Sequence, residues 1–170
     1  TRSSSALPCP PPPHSAAAPT PPATPAPRYQ AFDLGTHHRA VSTSNADAQK
    51  AFDQGLLWSF SFNHGDAERA FREAARLDDT LAMAWWGVAL VNGPHINNTT
   101  VDEAHAKAAW DALAEAKKRR ESASEVEKAL IDALASRYAW PHPADRHPLD
   151  EAYAAAMAEV AKLLGAGAPA

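Results

Sequence analysis

A single cysteine stands in 170 residues, so no internal disulfide forms and cysteine usage does not assign a redox compartment. That residue, Cys9, reads as an exposed thiol, with a lipid-anchored cysteine as the alternative. No apolar run approaches the ~20 residues that a membrane-crossing helix needs, which excludes a transmembrane segment. The seven glycines are scattered, and none belongs to a phosphate-cradling loop. A nucleophile elbow, a zinc-protease helix and a cysteine ladder are likewise missing. These absences point to a non-enzymatic chain. Charge of one sign is also modest: the net value is -4, so the basic run Lys117-Lys118-Arg119-Arg120 reads as the cation-rich end of a helix, not as a nucleic-acid patch.

Proline is abundant but unevenly placed. Most of the 15 prolines fall within residues 1–30, which hold almost no large apolar side chain. Such a segment buries too little surface to offset its ordering entropy, so it is expected to be a disordered, partly polyproline-II tail. A docking peptide for an SH3- or WW-like partner is the alternative. No apolar signal core lies within these residues. The expected location is therefore periplasmic or secreted if a signal was removed before Thr1, and cytoplasmic otherwise.

Residues 31–45 form a mixed lead-in, with Gly35 marking a turn and Val41-Ser42-Thr43 an extended approach. Helical periodicity then begins and continues over residues 46–165. Ala51, Gly55, Trp58 and Phe62 recur at helical spacing, and after the Asn63-His64-Gly65-Asp66 break so do Ala67, Ala70, Phe71, Ala74 and Leu77. Small residues at Gly55, Ala67 and Ala74 allow close backbone approach, while Trp58 and Phe71 fill the space between the helices.

Ala51-x2-Gln54-Gly55-x2-Trp58 followed by Ala67-x3-Phe71 resembles the tetratricopeptide repeat. One period of about 34 residues further on, Trp85-x2-Val88-Ala89-x2-Asn92 is similar to the first-helix pattern again. Gly93-Pro94-His95-Ile96-Asn97 and the block from Asp145 to Met157 resemble a bacterial subfamily of long tetratricopeptide proteins. Members of that group generally carry more repeats, which leaves a fragment of a longer array as one expectation. The resemblance implies an all-α fold of about three helical hairpins stacked as a short solenoid.

Boundary signals place the helices. The first is expected from Ala46 to Asn63 with Ser44 as its cap, the second from Asp66 to Leu77, and the third from Leu81 to Val91. A Thr100/Glu103 capping box would start the fourth at Val101, running to Arg120. Ser122/Glu125 or Ser124/Glu127 would cap the fifth, which continues through Tyr138. Pro148 suits the first turn of a sixth, from Leu149 to Leu164.

Two functional readings follow. The resemblance implies an interaction scaffold that presents the first helix of each pair to a protein or peptide, with Gln49, Lys50, Gln54, Asn92 and Asn98 as candidate contacts and no cofactor. The alternative rests on histidine. His64, His95, and His142 with His147 fall in successive helix-to-helix turns, on one expected rim, and His37 and His38 lie in the lead-in. A transition-metal ion or small ligand held by His37, His38, His64 and His95 is that second reading. Successive helices pack about 8–10 Å apart, so only the flexible insertions would bring two such turns together.

Overall fold

The computed structural model describes residues 32–166. The tail expected over residues 1–30 lies outside the described residues. Six α-helices follow in order: α1 (Ala46–Phe60), α2 (His64–Leu77), α3 (Ala82–Val91), α4 (Glu103–Lys118), α5 (Glu125–Ala135) and α6 (His147–Ala166), with a short 3-10 turn at Arg120–Ser122. No strand occurs among the described residues, and consecutive helices pack on each other as pairs α1/α2, α3/α4 and α5/α6.

The caps explain where the boundaries differ from expectation. Asn45, not Ser44, starts α1: its side-chain oxygen accepts from the N–H groups of Asp47 and Ala48, while its Nδ2 donates to the Leu77 carbonyl at the end of α2. One amide thus caps one helix and ties it to the other, which a serine hydroxyl does not reach. The first helix ends at Phe60, earlier than Asn63, because Asn63 belongs to the next element and caps α2 by accepting from Asp66 N–H. The chain reverses there through a Schellman closure, in which Asn63 N–H donates to Trp58 O and Phe62 N–H to Ser59 O. For α4 the cap is Asp102, whose carboxylate accepts from His105 N–H, because Thr100 is already bonded to Asn98. Ser124 and Glu127 form a complete capping box on α5, one of the two pairs expected. That helix stops at Ala135, and Tyr138 instead folds back to donate its hydroxyl to the Ala89 carbonyl of α3 at 2.8 Å.

Packing is centred on Phe71 of α2. Its ring lies in a notch between Gly55 of α1 and Gly87 of α3, so close that a Cβ at either glycine would sit 2.5 Å from a ring carbon. Phe52 packs beside it with its ring tilted at a separation of 5.5 Å, and Ala48, Ala51, Ala67, Ala74, Ala84 and Val88 belong to the same core. Of the tryptophans, Trp86 is buried and donates Nε1 to the Leu130 carbonyl. Trp58, Trp85 and Trp110 are half-buried against the same core, with the guanidinium groups of Arg72 and Arg119 lying over Trp85.

Asp78, at the end of α2, ties the lead-in to this core. Its carboxylate accepts hydroxyl hydrogens from Thr43 and Thr80 and the Thr80 N–H, and these bonds hold its pKa below the ordinary Asp value.

Two outcomes test this packing. Gly55→Ala and Gly87→Ala each cost about 1–3 kcal/mol, read as a lower Tm, because the added methyl collides with a ring that has nowhere to move. Adding Phe71→Leu to either recovers part of that loss, a non-additive pairing that independent sites would not show. Separately, the Asp78 carboxylate has a lowered folded pKa, so its stabilisation is present above the usual Asp value of 3.8 and is lost as pH falls through the folded value. Asp78→Asn should therefore lower Tm near neutral pH, and the gap to the parent should narrow in acid, as followed by thermal circular dichroism.

Candidate functional site

The lead-in does not hang free. It runs back along α1, held by a ladder of side-chain amides and carboxylates. Gln49 accepts from Val41 N–H through Oε1 and donates through Nε2 to the Arg39 carbonyl and to Asp53. The Asp53 carboxylate, 9% exposed, accepts from Arg39 N–H at 2.9 Å and pairs with His38 Nδ1 at 2.9 Å. Gln54 donates to the Phe32 carbonyl, and the Phe32 ring meets Trp58 edge-on. At the other end Ser42 gives its N–H and its hydroxyl to the two oxygens of Glu127, a buried carboxylate on α5.

Between the lead-in and α1 this arrangement leaves a cavity of about 670 Å³. Residues 32–38 form one wall, and Gln49, Lys50, Asp53, Gln54 and Leu57 form the other. Two groups there are chemically unfinished. Lys50 is exposed and forms no ion pair among the described residues. Gln54 is 5% exposed, and its Oε1 is buried without a hydrogen-bond partner.

A second, smaller pocket of about 160 Å³ opens at the turn between α1 and α2 and the insertion between α3 and α4. His64, His95 and His105 all line it, together with Asn92, Asn98 and Asp102. The His64 and His95 rings meet edge to face, with centres 4.3 Å apart. A tight turn fixes His95, whose N–H donates to the Asn98 carbonyl while Asn98 N–H returns to His95 O. Burial, and then the neighbouring His95, lower the His64 pKa and favour its neutral form. His105 sits across the pocket with Nδ1 at 2.8 Å from Asp102, and its bonds to that carboxylate lower the Asp102 pKa.

Phe62 covers this pair, its ring 6.3 Å from His64 and 6.1 Å from His95. It does so from a left-handed backbone conformation, φ 58°, at the closing position of the Schellman motif where glycine is usual. A phenylalanine held there costs on the order of 1 kcal/mol in backbone energy.

The five candidate contact residues divide between the two pockets. Gln49, Lys50 and Gln54 line the larger one, though the two glutamines already hold the lead-in. Asn92 and Asn98 line the smaller one, where Asn92 Nδ2 donates to the Val88 carbonyl and Asn98 Oδ1 accepts from Thr100. The four candidate metal residues divide the same way: His64 and His95 are together, while His37 and His38 line the larger cavity, where His37 packs against Phe60. His142 lies in the irregular segment before α6, and His147 begins α6 within 3.2 Å of Glu151, so neither lines the histidine pocket. His105 was the residue missing from the sequence reading. Its signal was local, a histidine three positions after the Asp102 cap, and nothing in that spacing announced the pocket.

No family model, no curated protein and no solved structure matches this chain.

Proposed function

We propose that the chain is a non-enzymatic interaction module of tetratricopeptide type, and that it docks a peptide in the cavity between the lead-in and α1. The observation that carries this reading is the pair of unfinished groups on that cavity: Lys50 without an ion-pair partner among the described residues, and the buried Gln54 Oε1 without a donor. A peptide supplies both needs, since its backbone N–H groups suit Oε1 and an acidic side chain or C-terminal carboxylate suits the ammonium. The helix order supports the scaffold part. First helices touch in series, α1 with α3 and α3 with α5, and α2 packs on α3 as well as on α1, the order of contacts expected of stacked helical hairpins. The site offers hydrogen bonds and charge, and no base paired with a nucleophile.

A peptide library displayed on phage and selected on the full chain tests it. Enriched peptides should share a carboxylate at a fixed position, and Lys50→Glu should weaken them at least tenfold, which corresponds to about 1.4 kcal/mol. His64→Gln, in the other pocket, should leave their affinity at the parental value. Selection without enrichment, or enriched peptides indifferent to Lys50→Glu, overturns the reading.

A further inference from the structure

The histidine pocket shares no lining residue with that cavity, and three of its features bear on a ligand. His64 and His95 come from segments far apart in sequence, yet their rings are in contact, and neither imidazole makes a hydrogen bond among the described residues. His95 Nδ1 is buried with no hydrogen-bond partner among the described residues. Phe62 is held in a conformation that glycine would adopt at lower cost, and its side chain lies over both rings.

A buried, unpartnered imidazole nitrogen beside a second imidazole is a poor structural choice. Each unmade hydrogen bond costs roughly 1–3 kcal/mol, and an apolar pair of the same shape would pack there without that loss. What this arrangement suits is a soft-to-borderline cation. Neutral imidazole presents a lone pair in the plane of the ring, and two rings at right angles share one ion without clashing. Nitrogen-to-metal bonds of about 2.0–2.1 Å place the centres of two such rings on the order of 4.5–5.5 Å apart. The observed 4.3 Å is near that spacing, and the edge-to-face rings must part slightly and turn before both nitrogens face one ion. The pocket volume of about 160 Å³ holds an ion and a few waters, each water taking ~30 Å³.

We propose that His64 and His95 bind a divalent late transition ion of the zinc or nickel type, and that His105 swings in from the rim as a third ligand. Among the described residues no three His, Cys, Asp or Glu side chains already converge on a point that would hold an ion, so binding requires the His64–His95 pair to open and His105 to leave Asp102. His105 is free to do so. Its side chain is 61% exposed and is held back only by Asp102 at the start of α4. The backbone of His95 stays fixed by its turn with Asn98, and Phe62 keeps bulk water from one side of the rings. Ligation breaks no covalent bond and moves no electron: water leaves the ion as imidazole nitrogen replaces it. The ion would also clamp the α1–α2 turn to the insertion between α3 and α4, joining two helix pairs at their loop ends.

Calorimetry with zinc chloride and nickel chloride on the untagged full chain, combined with imidazole nitrogen NMR, decides the matter. One equivalent of ion should bind, and the resonances of His64, His95 and His105 should shift together. Those of His37, His38 and His147 should not. His64→Gln and His95→Gln should each lower the affinity at least tenfold, His105→Gln should lower it measurably, and His38→Gln should leave it unchanged. Far-UV circular dichroism checks that each variant remains folded, and the NMR measurement on the parent chain stands without any variant. Absence of one-equivalent binding, shifts confined to other histidines, or parental affinity in the His64 or His95 variant overturns the site; parental affinity in His105→Gln overturns its role as third ligand.

Discussion

The close contact of Phe71 with two glycines is the constraint on which the rest of the molecule depends. A phenyl ring from α2 occupies a notch made by Gly55 of α1 and Gly87 of α3, and it thereby sets the spacing of three helices at once. Around it the core is built largely of alanine, which lets helices approach but specifies little about their register. A large ring in a notch without Cβ atoms supplies that register. With α1 and α3 fixed against α2, the loops at the helix ends have fixed anchor points, and the histidine pocket is built on those ends.

The lead-in depends on the same frame. Residues 32–44 form no regular structure, so their backbone groups need partners, and α1 supplies them through Gln49, Asp53 and Gln54. Glu127 does the same from α5 while also completing its own capping box, accepting from Ser42 and Ser124 together. A carboxylate that joins residues so distant in sequence is buried only because every oxygen is occupied. The consequence for function is that the exposed side of α1 is already shaped by an extended segment. A cavity remains where the segment does not fill the space.

The helices themselves were legible because their cause is local. Periodic apolar residues and the Ser124–Glu127 box act within a turn or two of sequence. The caps differ from expectation where a side chain had another partner. Asn45 outcompeted Ser44 because its amide also reaches Leu77, and Thr100 failed as a cap because Asn98 had engaged it. The glycine of the repeat pattern at Gly55 was read correctly as a place of close approach, but Gly87, two positions before the residue the pattern singles out, turned out to be its counterpart across the ring. Of the sites, the sequence showed which turns carry histidine. It did not show that His37 and His38 would be drawn to the lead-in cavity, or that His105 would join His64 and His95, since those proximities come from how the insertion folds back.

Both candidate sites therefore lie where an irregular segment meets a helix end or helix face, and the physics of the fold accounts for it. Inside the pairs, alanine and aromatic side chains fill most of the space. An array of short helices joined by tight turns would have only solvated surfaces outside that core. The lead-in and the insertion after α3 add backbone and side-chain groups that the helices cannot fully satisfy, which is how Gln54 Oε1 and His95 Nδ1 come to be buried without partners. Under the two proposed readings a peptide N–H would complete Gln54 Oε1 and an ion would occupy His95 Nδ1, whereas Trp85 Nε1 and the Nε atoms of Arg137 and Arg146, likewise unpartnered among the described residues, line neither pocket. Phe62 adds a backbone cost beside His95 Nδ1, at a turn that glycine would close with less strain, and the proposed ion is the ligand that would use that arrangement.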